Sequence, residues 1–196
     1  MKAHEASDEQ LMRDYQRGDR RAFDELFRRY APRLHAFFCR AFNARSIADD
    51  LLQTTFLNVH ASRASFREGA MVRPWLFAIA THARADALRS KYRRAAREDA
   101  LDEEIIGEDG QQSLETSHEA QRVRRALDGL PEAQRIVVLL HRYEGLTFRE
   151  IAEVLSSVEG AAVKEVAVRV RASRAYDALR VALRPLTANA TRIETP

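Results

Sequence analysis

The side chains of this chain that could do covalent or acid–base chemistry are few and badly spaced for it. The six histidines stand at positions 4, 35, 60, 82, 118 and 141, and none belongs to a His-Glu-x-x-His pair on one helical face. No Gly-x-x-x-x-Gly-Lys loop is present to cradle phosphates, and no Gly-x-Ser-x-Gly turn to present a nucleophile. Asp49 and Asp50 are adjacent, so on a helix their side chains diverge by about 100 degrees and form no acid/base couple. The single cysteine, Cys39, excludes an internal disulfide and a multi-cysteine zinc site, and its setting in HAFFCRAF reads as a plain buried thiol. The chain is expected to need no cofactor and no metal, and not to be an enzyme.

The chemistry that remains is ionic. The stretch IADDLLQTTFLNVHASRA turns Leu51, Leu52, Phe56 and Val59 inward as a helix and leaves Asp49, Asp50, Gln53 and Thr54 on another side. This acidic and amide face, on an otherwise basic half, is either a docking surface or a solvated helix face. Further on, WLFAIATHARADALRSKYRRAAR carries Trp75, Leu76, Ile79, Ala83 and Leu88 on one stripe. Arg84, Arg89, Lys91, Arg93, Arg94 and Arg97 supply cations on its remaining surface. Such cations neutralise phosphates, and Phe66 or Trp75 nearby can either stack on unpaired bases or pack in the core.

The elements that position these groups are helices. The chain has 196 residues with only seven glycines and five prolines, and its apolar residues recur at three and four rather than at two. No apolar run approaches the roughly 20 residues that span a bilayer, mean hydropathy is −0.43, and the charged N-terminus does not resemble a signal peptide. A soluble, cytoplasmic protein is expected. The formal net charge is +3, but residues 98–119 hold nine acidic residues and no Lys or Arg. Residues 1–97 carry 19 basic against 11 acidic residues, and residues 120–196 carry 13 against 9. Two basic blocks thus flank an acidic bridge that reads as a flexible linker. The fold class expected is all-α, with two small helical domains at 1–97 and 120–185 and a tail at 186–196.

In the first block Asp8 is the predicted cap of a helix bearing Leu11, Met12 and Tyr15 and ending near Gly18. Phe23, Leu26, Phe27, Tyr30, Leu34, Phe37, Phe38 and Phe42 continue as core positions through two segments separated near Pro32, and Ser46 caps the next helix. In the second block two apolar stretches are interrupted by GLPEAQR. Thr147 and Glu150 then have the spacing of a capping box, opening a short helix that buries Ile151, Ala152 and Leu155. A break at Ser156 and Ser157 leads into a long basic segment stopped by Pro185. Scaffold helix, turn and basic helix make a helix-turn-helix.

These residues carry a resemblance. Ala48, Asp50, Leu51, Gln53 and Phe56, followed by RPWLFAIAxHxxxDxLR from Arg73 to Arg89, resemble the second conserved region of the extracytoplasmic-function sigma factors of bacterial RNA polymerase. LPEAQRIVVLLHRYEGLTFREIAEVL and VRVRASRAYDALR resemble the fourth. The resemblance implies a promoter-specificity subunit whose partners are core polymerase, promoter DNA and an anti-sigma protein, often membrane-bound in the family. It assigns polymerase docking to Asp49, Asp50, Gln53 and Thr54, although Thr54 stands where the family has an acidic residue. It assigns the downstream promoter element to Arg73, His82, Asp86 and Arg89, with Phe66 in a base-holding loop at 62–73. His82 replaces the family's Asn.

For the upstream element two registers compete. Val163 and Lys164 require one residue beyond the family spacing after Leu155, whereas Val168 and Arg169 require six but bring Arg171, Arg174, Ala175 and Leu179 into place. The second is preferred, with Arg169, Arg171 and Arg174 as the DNA contacts, Arg180 on phosphate or in solvent, and the AAVKEVAV stretch favouring a longer recognition helix over a wider turn at Gly160. The rival readings are an autonomous helix-turn-helix regulator and an interaction adaptor without DNA.

Overall fold

The computed structural model describes residues 6–42, 44–95 and 118–184, and every regular element among them is helical. Most of the acidic segment, Arg97 and the tail after residue 185 lie outside the described residues, as do the side chains of Lys91 and Arg94, so the linker expectation falls outside this description. Helices α1 (Asp8–Gln16), α2 (Arg20–Phe42), α3 (Arg45–Ser62) and α4 (Val72–Ala95) form the first bundle. Helices α5 (His118–Asp128), α6 (Glu132–Val138), α7 (Phe148–Glu159) and α8 (Glu165–Ala182) form the second, and α6 runs on into a π-helical turn, Leu139–Tyr143.

The first bundle is built on aromatic packing. Phe37 meets Phe38 and Phe77 edge-on, while Phe23 and Phe27 close around Phe56. Ser7, not Asp8, caps α1 by accepting from the Gln10 amide. Asp8 instead ties α1 to α2, accepting from Arg29 at 2.7 Å and from the Tyr30 hydroxyl. Burial, reinforced by that bond, pushes the Tyr30 phenol up. Pro32 does not divide α2, which runs unbroken from Arg20 to Phe42. Proline deprives the Arg28 carbonyl of its helical donor, yet Leu26, Tyr30, Leu34, Phe37 and Phe38 are all buried along one face and hold the two halves in line. Ser46 is likewise not a cap: α3 begins at Arg45, and Ala44 in the cap position offers no side-chain bond.

The second bundle forms the expected capping box. The Thr147 hydroxyl accepts from the Glu150 amide, and the Glu150 carboxylate accepts from the Thr147 amide at 2.7 Å. Helix α7 then continues through Ser156 and Ser157 to Glu159, because the Ser156 hydroxyl donates to the Ala152 carbonyl and also accepts from the Val163 amide, bracing the turn beyond. Gly160 ends the helix at φ 67°, a left-handed conformation that glycine adopts without a Cβ penalty.

The two bundles are packed together through α4 and α7, and one continuous apolar core runs from Leu11 and Phe38 through Phe77 to Leu139 and Ile151. The Glu144 side chain, 3% exposed, lies at this junction, where its carboxylate accepts from Arg33 at 3.3 Å. Burial pushes Glu144 above the ordinary carboxylate range, outweighing the opposing pull of Arg33, Arg40 and Arg73. A raised folded-state pKa means that folding takes up a proton, so this contribution is present below the unfolded pKa and lost as pH rises through the folded value. Glu144→Gln removes the titration. Urea midpoints of wild type and variant should therefore coincide at about pH 4 and diverge in favour of the variant at about pH 7.

Candidate functional site

The face predicted for docking is assembled as expected on α3: Asp49, Asp50, Gln53 and Thr54 are all exposed. Asp49 lies 3.0 Å from His35 of α2. Beside these polar groups the structure opens an apolar groove of about 370 Å³ between α2 and α3, lined by Phe23, Phe27, Leu52, Phe56 and Leu57, with Asp49 and Gln53 on its wall. Phe27 is 42% exposed and Leu57 63% exposed. Phe27 is therefore only partly a core residue, and Leu57 was not singled out at all. The signal was present, since Leu57 lies four residues beyond Gln53 on the polar side of α3, where an exposed leucine has no reason in packing. Cys39, nearby, is half-buried rather than buried. Its thiol is pushed up by burial and by Asp49, a setting that keeps it protonated.

Helix α4 distributes its predicted residues over two sides. His82, Asp86 and Arg89 stand at helical spacing along one stripe, with Asp86 and Arg89 exposed and paired to each other. Arg73 begins the helix on another side, shared with Arg84 eleven residues on. His82 is half-buried, its Nε2 2.7 Å from the Ser157 hydroxyl of α7. Arg73 reaches Glu150 of α7 at 3.8 Å. Two expectations are corrected. Phe66 is buried with its ring edge-on to Trp75 at 5.1 Å, so the loop offers no free stacking face there. Arg84 is not a surface cation: it is 2% exposed and pairs with Glu132 of α6, which covers it. The loop between α3 and α4 is held against α1, since the Gln16 amide donates to the carbonyls of Arg63 and Phe66 and Glu9 accepts from Val72.

On α8 the burial follows the second register. Val168, Ala172 and Ala175 are buried, whereas Arg174, which the rival register would put at a core leucine position, is exposed. Arg169 and Arg174 then point to solvent. Arg169 pairs with Glu165 at 2.6 Å and lies over the Phe148 ring. Arg171 is half-buried and held by Glu159 at 2.7 Å. Arg180 is exposed and pairs with Asp177. The extra residues are divided between a longer α7, the turn at Gly160 and one turn of α8 ahead of Arg169, so the recognition helix is lengthened only in part. Among the described residues no group of three His, Cys, Asp or Glu side chains converges on a metal position, and no helix is long and apolar enough to cross a membrane.

Comparison with known proteins matches residues 26–94 to Sigma-70 region 2 and residues 120–179 to Sigma-70 region 4. The RNA polymerase sigma factor CarQ of Myxococcus xanthus is 36% identical over 185 residues, covering 92% of this chain and the whole of that protein. The ECF RNA polymerase sigma factor SigM of Mycobacterium tuberculosis is 37% identical over 170 residues, 86% of this chain and 83% of its own. Among solved structures, CnrH in complex with the cytosolic domain of CnrY superposes with a TM-score of 0.64 at 26% identity, over 89% of this chain and 95% of that one.

Proposed function

Because the chain belongs to the extracytoplasmic-function sigma factors of bacterial RNA polymerase, we propose that it acts in the cytoplasm by binding alone, bringing core polymerase to promoters through three separate surfaces. The face of α3, with Asp49, Asp50, Gln53 and Thr54 beside the groove at Leu57, meets core polymerase. The stripe His82, Asp86 and Arg89 with Arg73 and the loop at 62–73 meets the downstream element as it melts. His82 in place of an amide keeps one donor and one acceptor when neutral, so contact persists with an altered base preference. Arg169, Arg171 and Arg174 of α8 enter the upstream major groove. Catalysis stays with the polymerase. An anti-sigma protein is the third partner, a reading supported by the complex of the similar CnrH with CnrY.

One observation carries this reading more than any other: the two sigma regions occur in order on the two bundles, and the basic α8 follows a properly capped scaffold helix. The test is reconstituted transcription. Purified chain with core polymerase should yield discrete transcripts from a subset of promoter fragments, none appearing with either component alone. Specific DNA binding that neither requires nor recruits core enzyme would replace this reading with that of an autonomous regulator.

A further inference from the structure

Valine on the exposed side of a helix has no local reason to be there. Its branched Cβ restricts the side chain and makes it a poorer helix former than alanine or lysine, and solvent offers it no packing in return. Helix α8 nevertheless exposes Val166 at 70% and Val170 at 44%, opposite the buried side formed by Val168, Ala172 and Ala175. Residues four apart on a helix stand about 40° from one another. Val166, Val170 and the exposed Arg174 therefore form one line down the middle of the outward side.

The surroundings of this line point to what it meets. Arg169 lies about 100° round the helix from Val170, drawn aside over the Phe148 ring at 5.0 Å and paired with Glu165. The carboxylates of Glu159, Glu165 and Asp177 are all paired with arginines of α8. The two valines thus make a short, neutral, apolar stripe between cations. They occupy the first turns of the helix that follows the capped scaffold helix, the part of a helix-turn-helix that touches base edges. In the major groove the apolar group that base edges present is the C5-methyl of thymine. Val181 is also 70% exposed, but it sits in the last turn, about 16 Å beyond Val170 and outside that reach.

We propose that Val166 and Val170 are specificity residues of α8, each receiving the methyl group of one thymine in the upstream element, with Arg174 reading guanine next along the same line. Four residues advance the helix by about 6 Å, close to two base steps of about 3.4 Å. The two thymines therefore lie within about two steps of each other, on either strand. The arginines seat α8 in the groove, and the methyl contacts form only in the seated complex, so the valines sharpen discrimination without replacing the arginines. This rests on the reading that α8 enters the upstream major groove.

The test uses the full chain with core polymerase on a promoter fragment that supports transcription in reconstitution. Each thymine of the upstream duplex, on either strand, is replaced in turn by deoxyuracil, which removes the methyl group and keeps the hydrogen-bonding edge. Two positions should each lose about fourfold in holoenzyme affinity, the worth of one buried methyl group. Val166→Ala should make one of them indifferent to the methyl and Val170→Ala the other, at unchanged helicity by circular dichroism and with the second thymine still discriminated. Binding that distinguishes the upstream duplex from a scrambled one yet ignores every uracil overturns the proposal and leaves the DNA reading of α8 standing. Methyl discrimination that survives both alanine variants also overturns it, and gives the valine stripe to a protein contact. A holoenzyme that does not distinguish the upstream duplex from a scrambled one overturns the reading of α8 and the proposal with it.

Discussion

Replacing Arg169 and Arg174 together by alanine is expected to abolish discrimination between the upstream promoter element and a scrambled duplex, while α8 keeps its helical content. Both side chains point to solvent from a helix whose opposite side, Val168, Ala172 and Ala175, is buried. Truncation therefore removes no packing. Arg169 has only an exposed pair with Glu165 to give up on binding, a contact of small worth, and Arg174 makes no polar contact among the described residues. An arginine bidentate to guanine contributes about 1 to 3 kcal/mol of base discrimination, or roughly 5- to 150-fold for each residue. Binding should be measured on matched and scrambled duplexes over a range of salt. If both residues contact phosphate instead, affinity falls equally for the two duplexes and the salt slope drops by about one per residue. Equal losses would therefore move the base-reading role elsewhere on α8. Arg171, held by Glu159, should show a smaller loss, because it must break that pair to reach DNA.

What could be read from the sequence was what local physics decides. The capping box at Thr147 and Glu150 involves four residues and no partner element, and it formed. The register of α8 depended on apolar spacing along one helix, and Val168 is buried as that spacing requires. The polar face of α3 could be identified for the same reason. Apart from the misplaced caps of α1 and α3, the failures depend on contacts beyond the local helix. Pro32 reads as a break until the buried face on both sides of it is known. Ser156 reads as a break until its hydroxyl is seen bracing Val163 across the turn. Arg84 reads as a surface cation because nothing in a helical wheel shows that α6 will cover it. Phe27 fits the periodicity of the core, yet α3 crosses α2 so as to leave one edge of its ring open.

That open edge leads to the largest effect expected on polymerase docking. Leu57→Asp should weaken core binding by roughly 30-fold or more, the scale of an interface hot spot of about 2 kcal/mol. The joint change of Asp50 and Gln53 to alanine should weaken it less. Exposed rim charges act mainly on encounter rate and are screened by salt, whereas an apolar anchor in a groove is desolvated on binding and controls dissociation. The combination found here, an apolar groove with Asp49 and Gln53 on its wall, suits a helical partner with apolar residues on one side and cations along its edge. Leu57, 63% exposed, can be changed without disturbing the core; Phe27 is a poorer choice, since its ring lies 4.6 Å from that of Phe56 and its loss would loosen the bundle. Competition against a labelled reference sigma factor for core polymerase gives both numbers, and repeating it at higher salt separates them. The loss in the Asp50 and Gln53 variant should shrink as salt screens the charges, and the loss in Leu57→Asp should persist. Undiminished competition by Leu57→Asp would exclude the groove from the docking surface and leave the polar face of α3 to act alone.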